Sequence, residues 1–376
     1  MSPRPIVLGL LPAIRGGLGE LAKSGQHSRL VHGYLRPYVK AFAEVRYFSY
    51  LDESLDQYTD DPEVLAGVRL LPGGGWHPAF YAFVMPLRYW RQLRGCAVFR
   101  VFQVTGVIPA LVAKRLFGVP FVTTYGFWYS KLVRAPLTGW LRRQVEALGL
   151  AYANAVIVTT PELSAHVATR IEAAKIHLIP NGVDTSLFYP APHPPAPGER
   201  ILYVGRLSKE KNLGTLIEAV GKLVGRFDLR LAFIGDGPLR VSLEAQAQRL
   251  RVPVEFLPVV DHRELPGYLR KADAFVLPSL TEGHPKVLLE AMSCGLPCVA
   301  SSVGGNRAIL RDGETGLLFD PLDAGALAER LERIFGDHEL ARRLGERARR
   351  EVLERYDLTM LVAREIDLLK RVAGGG

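Results

Sequence analysis

Short apolar, β-branched runs recur along this chain between longer amphipathic stretches, and that rhythm most narrows what it can fold into. Ile6 to Leu11, Ala97 to Phe102, Phe121 to Thr124, Ala155 to Thr159 and His177 to Ile179 form a first series. Ile201 to Val204, Leu231 to Ile234, Val254 to Leu257, Ala274 to Leu277 and Cys298 to Ala300 form a second. Runs this short and apolar suit strands buried on both faces, and the stretches between them suit crossover helices joining strands in parallel. Each series therefore predicts a doubly wound α/β sheet. Between them, Leu187 to Gly198 holds five prolines, which remove backbone donors and fix φ. A linker is expected at 186–199, dividing an N-terminal domain at 1–185 from a C-terminal domain at 200–355, with a cleft between two cores. At 376 residues the chain exceeds what one core usually serves. From Arg342 to Val372 the sequence is rich in Arg and Glu, with Leu and Ala at helical spacing.

Composition excludes several classes. With 48% hydrophobic and 23% charged residues the chain is globular rather than disordered. No apolar run reaches the roughly 18 to 20 residues that span a bilayer, and the first residues lack a leader's long apolar stretch, so a cytoplasmic protein is expected. Cys96, Cys294 and Cys298 are an odd number without a histidine cluster at zinc-ligand spacing, which argues for reduced thiols and against a structural metal. The formal charge is +9, with basic patches at Arg88 to Arg94, Arg142 to Arg143 and Arg342 to Arg350. Phe80, Tyr81, Phe83, Tyr89, Trp90 and Trp140 interleave with them. This surface is either simply solvated or a peripheral contact with the anionic inner membrane face; charge speaks to association rather than to chemistry.

In open α/β sheets ligands bind beyond the carboxyl ends of strands, and four such loops stand out. Gly205 to Asn212 follows Val204 and puts Arg206 and Lys211 before an amphipathic run, where a helix dipole and two cations favour an anion such as a diphosphate. The second loop runs from Ser279 into Glu282-Gly283-His284-Pro285-Lys286-Val287 and on to Glu290. Pro285 suits the first turn of a helix, and Pro285 to Glu290 rises about 7.5 Å along it. Two carboxylates so spaced can accept hydrogen bonds from sugar and ribose hydroxyls, although acids near helix starts are also common for capping reasons. Gly235 to Pro238 reads better as a tight structural turn. Arg15-Gly16-Gly17-Leu18-Gly19 allows close backbone approach to a phosphate, but its order does not match the G-x-G-x-x-G dinucleotide fingerprint.

Taken in order, these segments resemble the retaining glycosyltransferases of the GT-B fold, specifically glycosyltransferase family 4. The resemblance is carried by Ile179 to Asp184, Val204-Gly-Arg206 with Lys211, Ile234 to Pro238, Glu282 with Glu290-Ala-Met-Ser-Cys-Gly-Leu-Pro297, and Val303-Gly-Gly305 with Thr315 to Leu318. It implies two Rossmann-like domains facing a central cleft, with the last helix, about 356–373, packing back on the first domain. It also implies transfer of a sugar from a nucleoside-diphosphate sugar, UDP slightly favoured over GDP, to a glycan or lipid-linked acceptor with retention of configuration. No metal, no other cofactor and no nucleic acid are expected. By this resemblance Arg206 and Lys211 bind the diphosphate, Glu282 meets the sugar hydroxyls and Glu290 the ribose. Gly16 and Gly17 approach the diphosphate from the first domain, and Gly283, His284, Pro285, Lys286 and Val287 line the donor.

Three positions depart from the family pattern. Tyr125 stands where many relatives carry a histidine facing the sugar, and a phenol does not titrate near neutral pH as an imidazole does. Tyr125 is therefore a sugar or acceptor contact of altered chemistry. His284-Pro285-Lys286 replaces an aromatic and a second glycine, and Ala308 stands near a usual acid. The acceptor is expected near Gly16, Trp76 and Phe127 to Tyr129, the base near Phe256 to Val259, and a hinge near Asn181 and Gly182. Two rival readings remain: a GT-B-like carbohydrate- or nucleotide-binding protein without turnover, and a nicotinamide-dependent oxidoreductase, against which the missing fingerprint speaks.

Overall fold

The structure is a computed structural model that describes residues 5–127, 136–191 and 199–375. The chain forms two compact units, one of residues 1–180 with 360–376, the other of residues 181–359. The first unit holds β1 (Val7–Leu11), β2 (Glu44–Phe48), β3 (Val68–Leu71), β4 (Val98–Val101), β5 (Phe121–Tyr125), β6 (Ala155–Val158) and β7 (Ile176–Leu178). They pair in the order β3-β2-β1-β4-β5-β6-β7, every ladder parallel. The order reverses between β1 and β4, the place where loops at the carboxyl ends diverge and leave room for a ligand. The second unit holds β8 (Arg200–Val204), β9 (Arg230–Ile234), β10 (Val254–Leu257), β11 (Ala274–Leu277), β12 (Cys298–Ser301) and β13 (Leu317–Phe319). Their order is β10-β9-β8-β11-β12-β13, again all parallel, with the reversal between β8 and β11. Two doubly wound Rossmann-like sheets are thus present.

Of the strands read from apolar runs, four are buried throughout, β4, β6, β11 and β12, whereas β7 and β10 are only partly buried. Three strands escaped that criterion. β2 and β3 carry Glu44, Arg46 and Arg69 toward the sheet's edge, and β13 is only three residues long.

Part of the expected linker belongs to the second unit. Phe188 is fully buried in that unit's core, and Val183 N–H donates to the Tyr356 carbonyl at 2.9 Å. An aromatic anchor outweighs the prolines around it, so the chain parts at Pro180–Asn181 rather than at 186, while 192–198 lies outside the described residues. The final helix, Leu358–Gly374, enters the first unit from Met360 onward. There the Arg100 guanidinium of β4 grips Glu365 with two bonds, 2.7 and 3.1 Å, and the Tyr38 hydroxyl donates to the same carboxylate. The Arg100 and Glu365 side chains are only 5% and 6% exposed. Burial, then the Glu365 charge, pushes the Tyr38 phenol well up.

Candidate functional site

In the second unit the carboxyl ends of three adjacent strands, β8, β11 and β12, bring their loops together. The Gly235–Pro238 turn lies flat on the loop after β8. Leu207 N–H donates to the Asp236 carbonyl and Leu239 N–H to the Leu207 carbonyl, both at 3.0 Å. A Cβ at Gly235 would stand 2.2 Å from the Gly205 carbonyl oxygen, and one at Gly237 2.4 Å from that of Leu207. This is a structural turn, and it fixes the path of Arg206, whose side chain is exposed.

Lys211 sits not at the first residue of a long helix but in a short 3₁₀ turn, Lys209–Lys211, which Asn212 ends with a left-handed φ of 54°. The Asn212 amide donates to the carbonyls of Pro278 and Pro321, at 3.2 and 2.7 Å, so this turn is tied to the loop after β11. Lys211 Nζ then reaches Glu282 Oε1 at 2.6 Å, and the Ser279 hydroxyl donates to the same oxygen at 2.7 Å. The Glu210 carboxyl is held below its ordinary range, chiefly by the Ser208 hydroxyl and further by the charges of Lys211 and Arg206. The result is a partly exposed cluster of two cations, Arg206 and Lys211, and two carboxylates, Glu210 and Glu282, at a strand-order reversal, able to grip an anion and hydroxyls at once.

The loop after Glu282 is shaped from below. A Cβ at Gly305 would lie 2.5 Å from the carbonyl oxygens of both Glu282 and Gly283, so only glycine lets β12's following turn approach so closely. Pro285 is the N-cap of the Lys286–Ser293 helix rather than part of its first turn. Gly283 and Val287 are half-buried and Lys286 is exposed, whereas Pro285 is buried. The His284 side chain turns inward instead of lining a surface. It is 5% exposed, lies 5.5 Å from the Tyr356 ring, and burial, with Lys286 nearby, pushes its imidazole down to about 3. Its carbonyl accepts the Asn181 amide at 2.7 Å. Glu290 is 2% exposed, with Oε1 3.0 Å from His262 Nε2, so any hydroxyl reaching that oxygen must share or displace that bond.

In the first unit the glycine loop follows β1. Gly17 is buried, and a Cβ there would stand 2.7 Å from a Glu53 oxygen. Glu53 accepts the amides of Leu18 and Gly19 at 3.0 and 2.8 Å and the Ser49 hydroxyl at 2.5 Å. Those two loop amides are thus already engaged by a carboxylate, and Gly16 N–H donates to the Ala13 carbonyl at 2.7 Å. Arg15 adopts a left-handed φ of 73°, so both candidate loops, here and at Asn212, hold a strained non-glycine residue. Tyr125 corrects an expectation: it is fully buried, and its hydroxyl donates to Glu146 Oε1 at 3.0 Å, because its place at the end of β5 points the phenol into the core. Trp128 and Tyr129, expected near the acceptor, lie outside the described residues.

Sequence reasoning missed Ser279, His262, Glu53 and Asn306. Ser279 was legible as a hydroxyl three residues before Glu282. The other three are joined to their loops across 28 or more residues or through a buried amide, and nothing local marks them. Asn306 is fully buried, donates to the Ser301 carbonyl and hydroxyl at 2.9 and 3.1 Å, and holds the turn that carries Gly305. Among the described residues no group of three or more His, Cys, Asp or Glu converges as a metal site.

Two family models match the chain. "Glycosyltransferase Family 4" covers residues 28–187 and "Glycosyl transferases group 1" covers residues 190–351. A glycogen synthase of Mycobacterium tuberculosis is 30% identical over 258 residues, 66% of this chain and 62% of that protein. The alignments span less than two thirds of the length of the first curated relatives, 43% to 62%. The fold is similar to that of a sucrose-phosphate synthase from Thermosynechococcus elongatus, with a TM-score of 0.81 at 23% identity over 99% of this chain and all of that one. It is similar too to Anabaena HepE, solved with UDP and glucose, with a TM-score of 0.78 at 18% identity over 98% of this chain and all of that one. The matched models, which together run through both sheets, and the two parallel Rossmann-like folds place this chain among the GT-B glycosyltransferases of the family 4 type.

Proposed function

We propose that the chain transfers a sugar from a nucleoside-diphosphate sugar to a glycan or lipid-linked acceptor, with retention of anomeric configuration and without a metal ion. The observation that carries this reading is the Lys211–Glu282 contact beside exposed Arg206, at the reversal between β8 and β11. A diphosphate entering there meets two cations, which neutralise the charge that grows as the glycosidic bond to phosphate breaks. In this reading they fill the role a divalent cation takes elsewhere. Lys211 then exchanges part of its contact with Glu282 for phosphate oxygens, which leaves the carboxylate for the sugar's hydroxyls. Ser279 keeps Glu282 oriented during that exchange. Front-face displacement lets the departing phosphate oxygen take the acceptor's proton, and no protein base is required.

Glu290 takes the ribose hydroxyls in partial replacement of His262. The main chain of Gly283 to Val287, not the His284 ring, lines the donor. UDP-sugars are the first candidates, in keeping with HepE having been solved with UDP and glucose. The test is the melting midpoint of the purified protein against UDP-, GDP- and ADP-sugars, free nucleotides and NAD. A ligand at a hundred times its dissociation constant adds about 2.7 kcal/mol. A selective shift with one nucleotide-sugar supports the reading, and a shift with NAD alone overturns it.

A further inference from the structure

The first unit carries a surface that donor binding does not use. From Val64 to Pro161 the chain has 11 Lys and Arg but one acid, Glu146. That acid is 4% exposed and bonded to Arg170 and Tyr125, so it offers nothing to solvent. The segment therefore holds the whole positive excess of a chain whose net charge is +9.

Its helices also expose apolar side chains in register. The Pro78–Arg88 helix buries Tyr81, Ala82, Met85 and Pro86 against the sheet. On its other side Phe80, Phe83 and Leu87 are 55%, 63% and 75% exposed, at spacings of three and four that form one stripe. Trp76, its ring 5.7 Å from that of Phe80, and Trp90, with the Arg91 guanidinium 5.2 Å over its ring, extend the stripe at either end. The Ile108–Phe117 helix packs beside this one and exposes Leu116 next to Arg115. Beyond it the Pro136–Tyr152 helix exposes Trp140 and Leu141 next to Arg142 and Arg143.

Single exposed apolar residues are ordinary, but a Phe/Trp/Leu stripe along one helix, with exposed Leu and Trp beside arginines on the two helices packed next in line, marks a contact surface. We propose that this three-helix face lies on an anionic lipid bilayer. The aromatic and leucine side chains enter the interface between headgroups and acyl chains, and Arg88, Arg91, Arg94, Arg142 and Arg143 meet lipid phosphates. A second copy of this chain fits the same face less well, because it brings cations against cations. Nucleic acid would leave the apolar stripe without a partner. The proposal does not rest on the donor assignment.

The test is flotation of the full chain with vesicles of phosphatidylcholine alone and of phosphatidylcholine mixed with phosphatidylglycerol. Wild type floats with the anionic vesicles and is released by salt. The triple variant Phe80→Ser, Phe83→Ser, Leu87→Ser loses roughly tenfold or more in partitioning. Arg91→Ala and Arg94→Ala each lose about fivefold on anionic vesicles only. All these side chains are exposed, so melting midpoints stay near wild type, and nucleotide-sugar shifts, read separately, report on the donor site alone. Wild type that ignores anionic vesicles, or a triple variant that floats as well as wild type, overturns the proposal. So does a wild-type dimer that the triple variant dissolves without any vesicle binding, or retention by nucleic acid in place of vesicles.

Discussion

Two cation–carboxylate contacts, Arg100–Glu365 in the first unit and Lys211–Glu282 in the second, are built differently. Arg100 and Glu365 are about nine-tenths or more buried, joined by two bonds and capped by Tyr38. Lys211 and Glu282 are 23% and 10% exposed and meet through one oxygen, which Ser279 shares. A buried bidentate pair has no other partner to turn to, and it fastens the final helix to β4. A partly exposed single contact at a strand-order reversal can open to a ligand at small cost. Burial and contact number, not charge, separate an ion pair that holds a fold from one that serves a site.

Removing one partner from each pair is the sharpest way to break that contrast. Glu365→Ala leaves Arg100 charged in the core and is expected to cost about 3–5 kcal/mol of stability in denaturant unfolding. Lys211→Ala is expected to lower transfer roughly a hundred- to a thousandfold, while unfolding shifts by no more than about 1 kcal/mol. If Lys211→Ala destabilises as much as Glu365→Ala, the division between structural and functional pairs collapses. Glu290 lies between the extremes, since it is buried yet sits behind the candidate site. Glu290→Ala is expected to cost about 1–3 kcal/mol of stability by orphaning His262, and to weaken donor affinity as well. An effect on stability alone would leave Glu290 on the structural side.

A further effect concerns pH. His284 keeps its imidazole at about 3 when folded, against 6.5 for an ordinary histidine. Between those values the unfolded chain binds a proton that the folded chain refuses, so stability is complete above about 6.5 and falls on acidification. The loss is on the order of 1.4 kcal/mol per pH unit below that point. His284→Asn should flatten this part of the slope when unfolding is followed from pH 7 to pH 5; an unchanged slope would show that His284 titrates normally.

How much of this was legible beforehand follows from the same physics. Uniformly buried strands such as β4, β6, β11 and β12 announce themselves as apolar runs, and the order of Arg206, Lys211, Glu282 and Glu290 along the chain marked one loop cluster. Side-chain direction was not legible. Sequence position and family resemblance point to His284 and Tyr125 as site residues, yet the packing of His284 on Tyr356 and the bond of Tyr125 to the Glu146 carboxylate hold both side chains inward. Nor could Glu53 be found at the glycine loop, since its bonds to Leu18 and Gly19 cross more than thirty residues. A related limit holds at the expected linker: five prolines are conspicuous in sequence, while one phenylalanine, Phe188, packs the start of that stretch into the second unit's core.

In the proposed reading Lys211 and Arg206 receive the diphosphate of a sugar nucleotide while Glu282 takes the sugar's hydroxyls. Calorimetric titration of the nucleotide-sugar that raises the melting midpoint most, into wild type and into Lys211→Ala, tests it directly. One site is expected in the wild type and at least about a tenfold weaker affinity in the variant, equivalent to about 1.4 kcal/mol. Equal affinities in two equally folded proteins would contradict it.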